Sequence, residues 1–417
     1  MKLSEDLAWR GLIKDKTFED ISWLDEPKTF YHGVDASSDS MTIGNLAAMM
    51  TARRLLDAGW KAVLLAGGAT SLVGDPGGKE EERELQSSEV IEKNVEAIKG
   101  QIGKLFSGKD FTLVNNYDWF KDVKYLEFLR DIGKHYSMTE LMQREFVTER
   151  MGEGGNGISY AEFSYSLIQG YDYWQLFKNH GCVLQIGGSD QWGNMLSGVP
   201  LIRKKEGAEV QALSMPLVVN KSTGRKFGKS EAGAVWLDGA KTTPFKFYQF
   251  LYNTSDDDVV EYLKIFTLIS REDIENLNIM ADGESKGSQI RERQTRLAYE
   301  VTKLVHGEDQ AEQQKKTVEV LLGTRGVGSL EESQLAILRE EIPNIKTEPG
   351  TPVVKILVDS GLAESNSEAR RLIENNAVYV NGERFIKDHI ESVDFNNGSL
   401  MLRRGKAFKD SALVELA

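Results

Sequence analysis

The sequence has 417 residues, with 51 basic and 64 acidic side chains and a formal net charge of −13. This length suits two or three domains, and the acidic balance excludes a uniformly basic protein that coats nucleic acid. The one cysteine, Cys182, cannot form an internal disulfide, and the five histidines give no Cys/His zinc spacing. We expect a soluble, cytoplasmic protein, because residues 1–10 lack an apolar signal core and no later run reaches the ~18 apolar residues of a membrane span.

Short apolar runs alternate with helical patterns in the first half of the chain. The runs predict strands at 29–36, 61–68, 111–119 and 182–192. Helical patterns fill 42–59 and about 158–180. Strands that alternate with helices are typical of a parallel sheet with helices on its faces, so we predict an α/β fold.

The second half has a different pattern. Residues 244–342 hold few strand-like runs and many charged, 3.6-periodic ones, which predicts an all-helical domain. A Pro/Gly-rich stretch at 342–352 indicates a linker. The tail then reads as two short helices, 353–361 and 367–376, followed by strands at 377–385 and 399–408 with Asn-Gly turns at 381–382 and 397–398.

Three glycine-rich patterns suggest familiar nucleotide sites, and each fails in its context. GEGGNG at 152–157 follows a helical segment, whereas the dinucleotide fingerprint follows a strand. GKS at 228–230 has Thr223 where a P-loop needs its first glycine. GDPGGKE at 74–80 has Glu80 in place of the required Ser or Thr, although Lys79 and Arg83 could still reach a phosphate.

The segment SDSMTIGNL, just after the first predicted strand, offers a better anion site. Asp39 and Ser40 can cap a helix whose free N–H groups and positive dipole end attract a phosphate. The alternative interpretation is an ordinary capped helix in which Gly44 packs closely against the sheet.

Polar side chains also line one face of the helix predicted at 158–180. Tyr165, Gln169 and Asp172 follow the i, i+4, i+7 spacing of one helix face. Burial among aromatic neighbours would require a ligand or a network to satisfy them, although an aromatic stripe at helical spacing is more often core. In GGSDQWGN at 187–194, Asp190 and Gln191 supply acceptors for ribose hydroxyls. Two lysines three apart in KFGKS at 226–230 can follow a polyphosphate, or form a solvated turn.

Taken together, these segments resemble the bacterial-type tyrosyl-tRNA synthetases of class I. The stretches that carry the resemblance are GGATSLVGDPGGK, NNYDW, EFSYSLIQGYDY, LQIGGSDQWGN and KFGKS followed by WLD, in that order. The resemblance implies a Rossmann-like parallel-sheet catalytic domain at 1–220 with a helical insertion at about 120–180. It further implies a signature loop and helical anticodon-side domain at 221–342, a linker at 343–351, and an RNA-binding module like that of small-subunit ribosomal protein four at 352–417.

The same resemblance implies the substrates and their contacts. L-tyrosine, ATP with its Mg²⁺, and tRNA(Tyr) are the expected partners, and the family works as a homodimer. Tyr31 and Asp172 match the residues that bind the phenolic hydroxyl; those near the ammonium are Tyr165, Gln169, Asp75 and Gln191. On the ATP side lie Asp35, Gly44, Gly188, Asp190 and Lys229. The implied catalytic set is Lys226, Lys229, Ser230, Lys79, Arg83, Thr42 and Asn45.

One stretch departs from the family pattern. The His-Ile-Gly-His signature is here Thr42, Ile43, Gly44 and Asn45, so both imidazoles are missing. Asn45 keeps a neutral hydrogen-bond donor. The hydroxyl of Thr42 is shorter than an imidazole, so we predict that it contributes little or acts through water.

Two other functions remain open at this point. One is a paralogue that adenylates tyrosine without charging tRNA, and the other is a non-catalytic binder of structured RNA. The tyrosine set and both lysine loops favour activation, and the C-terminal module favours tRNA. Arg370, Arg371 and Arg384 are the predicted phosphate contacts of that module, unless they form only a solvated face.

Overall fold

The computed structural model describes the backbone of residues 1–75, 86–152, 157–221, 224, 226–230, 233–282, 286–405 and 410–417. It describes their side chains except at 145, 146, 149, 229, 230, 280–282 and 286–290. The chain forms two compact units, one of residues 1–242 and 254–297 and one of residues 243–253 and 298–417. The predicted residues Lys79 and Arg83, and the side chains of Lys229 and Ser230, lie outside this description.

Helices and strands alternate through the first part of the chain. Up to residue 242 the elements are α1 (Leu3–Trp9), β1 (Thr29–Asp35), α2 (Ile43–Asp57), β2 (Lys61–Gly67), α3 (Gly68–Val73), α4 (Ser88–Leu105), β3 (Phe111–Asn115), α5 (Tyr117–Phe120), α6 (Tyr125–Asp131), α7 (Met138–Met142), α8 (Glu145–Met151), α9 (Tyr160–His180), β4 (Leu184–Gly188), α10 (Trp192–Met195), α11 (Gly198–Glu206), β5 (Gln211–Met215), β6 (Lys229–Ser230) and β7 (Gly233–Ala234).

Helices dominate the next hundred residues, and a second sheet follows. The elements after residue 242 are α12 (Pro244–Tyr252), α13 (Val259–Phe266), α14 (Arg271–Asp282), α15 (Lys286–His306), α16 (Glu308–Leu322), α17 (Glu332–Glu341), β8 (Asn344–Thr347), α18 (Val353–Asp359), α19 (Asn366–Glu374), β9 (Val378–Val380), β10 (Glu383–Arg384), β11 (Ser399–Arg404) and β12 (Ser411–Leu416).

The first unit is built on a five-stranded parallel sheet, which confirms the predicted α/β class. Its strand order is β3-β2-β1-β4-β5. The strands read as nearly continuous apolar runs because helices cover both faces of the sheet, and residues 62–67 of β2 are all buried. The predicted strands at 111–119 and 182–192 are shorter than expected, since the chain turns into α5 after Asn115 and into a 3-10 turn after Gly188.

The strand order reverses beside β1, and this feature positions the site. From β1 the chain runs to β2 and β3 on one side, and it later returns to β4 and β5 on the other. The chain segments that leave the carboxyl ends of β1 and β4 therefore run in opposite directions and leave a crevice between them. Ligands of open parallel sheets bind at this kind of switch point.

The second unit contains a mixed sheet in the order β10-β9-β11-β12-β8. Asn381 and Gly382 both have positive φ, as do Asn397 and Gly398, which is the geometry of a type I′ turn and confirms both predicted Asn-Gly turns. Residues 344–347 lie within the segment predicted as a linker, yet they form β8, which pairs in parallel with β12. The predicted linker is therefore in part a strand of this sheet.

The rejected glycine patterns also have a structural outcome. The segment before GEGGNG is helix α8, as predicted, while residues 153–156 lie outside the description. GKS leads into the short strand β6 rather than a helix. In the part of the chain that the structure describes, no helix is both long and apolar enough to cross a membrane.

Candidate active site

A cavity of about 500 Å³ opens at the carboxyl ends of β1 and β4. It gathers side chains that are far apart in the sequence. Of the residues predicted for the site, those that line this cavity are Tyr31, Asp35, Thr42, Gly44, Asn45, Asp75, Tyr165, Gln169, Asp172, Gly188, Asp190, Gln191 and Lys226. The RNA-contact candidates Arg370, Arg371 and Arg384 belong to the other unit, where all three are exposed.

One end of the cavity carries a buried phenol and a buried carboxyl. Tyr31 and Asp172 are each 2% exposed. Within the described structure the hydroxyl of Tyr31 has no hydrogen-bond partner, and burial raises its pKa well above the usual value. Burial also raises the pKa of Asp172 to about 8, against the opposing effect of two hydrogen bonds. An unpaired buried hydroxyl is costly, so this end of the cavity is suited to a polar ligand.

Two hydrogen-bond donors, which the sequence analysis did not identify as site residues, orient the carboxyl of Asp172. Trp119 Nε1 donates to Oδ1 at 2.8 Å, and Asn116 Nδ2 donates to Oδ2 at 3.1 Å. Asn116 is itself fixed, because its Oδ1 accepts from the backbone N–H of Ala69 at 2.7 Å. The motif NNYDW was visible in the sequence, but only the fold shows that two of its side chains reach α9.

A second polar network lies along the same cavity. The hydroxyl of Tyr165 donates to Asp35 Oδ2 at 2.8 Å. Gln191 Nε2 donates to Asp75 Oδ2 at 2.5 Å, and Asn194 Nδ2 donates to Gln191 Oε1 at 3.1 Å. With Asp35, Asp75, Asp172 and Asp190 all lining the cavity, its acidic character suits a cationic group on the ligand.

The start of α2 forms another wall, and here the predicted cap is wrong. Thr42, rather than Asp39 or Ser40, is the N-cap of α2. Ser40 Oγ instead donates to the carbonyl of Met41 at 2.8 Å, and Asp39 pairs with Lys241. The segment 39–41 adopts this course because the bridge between Thr42 and Trp236 draws the chain along residues 235–237.

Thr42 and Asn45 form a reciprocal cap. The backbone N–H of Thr42 donates to Asn45 Oδ1 at 2.9 Å, and the Thr42 hydroxyl donates to the same oxygen at 3.0 Å. A backbone N–H is always a donor, so the atom facing it must be the amide oxygen. The Nδ2 group of Asn45 therefore points away from the cap, and Asn45 is exposed in the cavity wall.

Asp190 and Lys226 form a further charged pair in the cavity lining. Their Oδ2 and Nζ atoms are 4.0 Å apart, and the Lys226 side chain is 57% exposed. Burial raises the pKa of Asp190, while the nearby Lys226 ammonium lowers it. An exposed pair at this distance is weak, so Lys226 is readily available to an anionic ligand.

His32 also lines the cavity and was missed at the sequence level. Its Nδ1 donates to the carbonyl of Ile186 at 3.0 Å, and burial lowers its pKa. A neutral ring that donates from Nδ1 leaves Nε2 as an acceptor. The sequence of β1 does not alternate between apolar and polar residues, because both faces of the strand are largely buried. The sequence pattern therefore did not identify His32 as a cavity residue.

Among the described residues, no group of three or more His, Cys, Asp or Glu side chains is arranged to hold a metal ion.

Comparison with known proteins identifies the family. Residues 24–323 match the model of the class I tRNA synthetases for tryptophan and tyrosine. The chain belongs to this family. The class I synthetase match spans the whole cavity, and a second model, the C-terminal domain of the SYY-like tyrosine–tRNA ligases, matches residues 334–409.

Curated class I synthetases resemble the chain over nearly its full length. The tyrosine–tRNA ligase of Bacillus caldotenax is 44% identical and is aligned over 92% of both chains. That of Listeria innocua is 42% identical over 97% of this chain and 98% of its own. The predicted resemblance to tyrosyl-tRNA synthetases is therefore confirmed.

Solved structures agree with the fold. The C-terminally truncated mitochondrial tyrosyl-tRNA synthetase of Aspergillus nidulans matches with a TM-score of 0.67 and 33% identity, over 75% of this chain and 92% of its own. A tryptophanyl-tRNA synthetase of Encephalitozoon cuniculi matches with a TM-score of 0.53 at 16% identity, over 75% of this chain and 89% of its own. The second likeness concerns the fold alone.

Proposed function

We propose that this chain is a tyrosine–tRNA ligase that activates L-tyrosine with ATP, releasing pyrophosphate, and then transfers the tyrosyl group to the 3′ end of tRNA(Tyr), releasing AMP. The observation that carries the proposal is the buried, unpaired hydroxyl of Tyr31 near the carboxyl of Asp172, which accepts two hydrogen bonds. The proposal agrees with the names of relatives that match over 92% of the chain or more.

In this proposal Tyr31 and Asp172 bind the phenolic hydroxyl of the substrate. A phenol can donate to the Asp172 carboxyl and accept from the Tyr31 hydroxyl at the same time. Phenylalanine has the same ring but leaves both buried groups unpaired, so the cavity rejects it through a desolvation cost. Fixation of Asp172 by Trp119 and Asn116 keeps the acceptor in place before the substrate arrives.

The ammonium of tyrosine would lie in the network around Asp75. Tyr165 and Gln169 contribute from α9, and Gln191 contributes from the turn after β4. A cation here is favoured by the neighbouring carboxylates and by amide and hydroxyl oxygens. This arrangement holds the substrate at both ends and directs its carboxylate toward the mouth of the cavity.

ATP would occupy the mouth between α2 and the turn after β4. Asp190 is the proposed acceptor for the ribose hydroxyls, with Gly188, Gly44 and Asp35 nearby. The tyrosine carboxylate attacks the α-phosphate in line, which requires positioning and charge stabilisation rather than a protein nucleophile. The stabilising groups are the N-terminus of α2 with Thr42 and Asn45, and the cations of two loops, listed as Lys226, Lys229 with Ser230, Lys79 and Arg83. Mg²⁺ enters as the partner of the ATP phosphates.

The RNA partner would bind the second unit through its exposed arginines, Arg370 and Arg371 on α19 and Arg384 on β10. Arginine contacts to phosphates supply the sequence-independent part of RNA affinity. The single cysteine is fully buried, which suits a reduced, cytoplasmic setting.

We also propose a homodimer. Large apolar side chains are exposed along the segment 117–160 of the first unit, among them Tyr117 at 45%, Tyr125 at 61%, Leu126 at 76%, Met138 at 59% and Tyr160 at 63% exposure. Exposed apolar side chains that gather in one contiguous patch are typical of a protein–protein interface. Sedimentation should give a dimer for the wild type and a monomer for Leu126→Lys; a wild-type monomer at micromolar concentration would contradict this proposal.

The two alternatives from the sequence are separated by one paired assay. Tyrosine-dependent ATP–pyrophosphate exchange and charging of cognate tRNA should both be positive with the same preparation. Exchange without charging would select the adenylating paralogue. Absence of both activities would select the RNA binder.

A further inference from the structure

The signature loop, KFGKS at 226–230, has Phe227 between its two lysines. The ring of Phe227 packs against two other aromatic rings. The ring of Phe227 lies 4.5 Å from the ring of Tyr262 and 4.9 Å from that of Phe266, centroid to centroid. Tyr262 and Phe266 are 1% and 0% exposed and both belong to α13. We call these two residues the aromatic seat.

The seat is itself fixed to the helix that begins at the cavity. Arg54 of α2 donates to the carbonyls of Lys264 and Ile265, at 3.0 and 3.2 Å, at the end of α13. Arg10 of α1 donates to the carbonyl of Lys264 at 2.8 Å. These bonds satisfy carbonyls that a helix end leaves free, so α13 has a set position relative to α2.

The backbone on either side of Phe227 is paired as well. Its N–H donates to the carbonyl of Val218 at 2.8 Å, and the carbonyl of Gly228 accepts from Val235 at 2.9 Å. Gly228 has φ +99°, and a Cβ at this position would lie 3.2 Å from the backbone nitrogen of Gly44. The loop backbone therefore touches the first turn of α2, and only glycine suits that contact.

We propose that Phe227 is a positioning residue, whose ring in the aromatic seat holds Lys226 over the cavity, next to the start of α2. The inference rests on the proposed function for its catalytic consequence. The side chain of Lys226 is exposed and ends in an ammonium on a long four-carbon stem. Stacked and tilted ring contacts fix the adjacent residue because aromatic pairs favour specific geometries, and an ammonium stabilises a leaving pyrophosphate only where it is held in place.

The catalytic test compares Phe227→Ala with Phe227→Met, which keeps an apolar side chain of similar length. Phe227→Ala should slow single-turnover tyrosine activation about 10- to 100-fold, because a displacement of about 1 Å can cost up to about 100-fold, while the tyrosine Kd and the melting temperature change little. Phe227→Met should recover most of the rate. In a Phe227→Ala background, Lys226→Ala should cost much less than in the wild type, since the lysine is no longer positioned. Equal costs in both backgrounds would overturn the proposal.

A second measurement does not depend on activity. Trypsin cleaves after Lys226, and Arg371 in the other unit is an exposed reference site. Phe227→Ala should increase the rate of cleavage after Lys226 relative to Arg371 about tenfold or more, because a released segment is cut faster, and Phe227→Met should stay near the wild type. An unchanged ratio in Phe227→Ala would overturn the proposal. Wild-type protein that activates no tyrosine would refute the proposed function alone. The cleavage ratio would then show whether Phe227 in the aromatic seat holds the segment at Lys226.

Discussion

The indole N–H of Trp119 donates to the carboxyl of Asp172 at 2.8 Å, inside the α/β unit and at the closed end of its cavity. This bond joins the short helix after β3 to the middle of α9. The bond fixes the direction of one buried acceptor, and the nearby Tyr31 hydroxyl has no hydrogen-bond partner in the described structure. In the proposed function, recognition of the phenolic hydroxyl depends on this pair.

Replacement of Asp172 by alanine should remove most of the preference for tyrosine over phenylalanine. The acceptor for the phenolic hydroxyl is lost, so the two substrates then differ little in how well the cavity satisfies their polar atoms. The measurement is kcat/KM for both amino acids in pyrophosphate exchange. A variant that still strongly prefers tyrosine would show that the hydroxyl is bound elsewhere.

Trp119→Phe tests the orientation of that carboxyl, since it removes the N–H donor and keeps an aromatic ring, although a smaller one than indole. We expect kcat/KM for tyrosine to fall about 10- to 100-fold, which lies within the ~1–3 kcal/mol that an unsatisfied buried polar group costs. The fall for phenylalanine should be smaller. Trp174→Phe is a matched control, because that indole donates to Glu206 on the exposed surface. Equal losses for both amino acids would indicate general damage to packing.

The titration of Asp172 should appear in the pH dependence of stability. Its pKa is about 8 in the folded chain against an ordinary 3.8. Between these two values the folded protein retains a proton that the unfolded chain releases. The contribution of Asp172 to the free energy of unfolding is therefore full below about pH 4 and is lost as the pH rises through about 8. Relative to Asp172→Asn, wild-type stability should fall across this range in denaturant titrations. A constant difference between pH 4 and 8 would show that the carboxyl ionises normally.

The sequence predicted the α/β class, the order of the main elements and many of the polar residues that line the cavity. Tyr165 and Asp172 could be placed on one helix face by spacing alone. Both Asn-Gly turns were predictable because few other dipeptides adopt two successive positive φ angles. For the remaining site residues, the family resemblance was needed to connect segments that the fold brings together.

Other features could not be read from the sequence. The cap of α2 is Thr42 rather than Asp39 or Ser40, because a bridge to Trp236, almost 200 residues away, fixes the preceding chain. Strand β8 was predicted as a linker because it is only four residues long and follows a proline. Asn116 and His32 were missed since their roles depend on contacts with Asp172 and Ile186 on distant elements.

Of the two residues that replace the signature histidines, we expect Asn45 to contribute more to tyrosine activation than Thr42. Asn45→Ala removes the amide of a cavity-lining residue, and we expect tyrosine activation to slow by about 100-fold, as for loss of one transition-state donor. Thr42→Ala should cost clearly less, because the backbone N–H of Thr42 still holds the Asn45 oxygen. Single-turnover activation at saturating ATP measures both. A loss of about 100-fold for Thr42→Ala would assign a direct role to its hydroxyl.

The three exposed arginines of the second unit should act on tRNA alone. Joint replacement of Arg370, Arg371 and Arg384 by glutamine should raise the KM for tRNA about tenfold or more and flatten its dependence on salt. Tyrosine-dependent pyrophosphate exchange is the internal control and should not change. Unaltered charging at low tRNA concentration would exclude these side chains as RNA contacts.

The most direct test of the account is wild-type ATP–pyrophosphate exchange with tyrosine, phenylalanine or tryptophan as the amino acid. The family model covers enzymes for tryptophan and for tyrosine, so the comparison separates the cavity's specificity from the fold. The account predicts rapid exchange with tyrosine and little with the other two, since only tyrosine pairs both Asp172 and the Tyr31 hydroxyl. Exchange that is fastest with tryptophan or phenylalanine would contradict it.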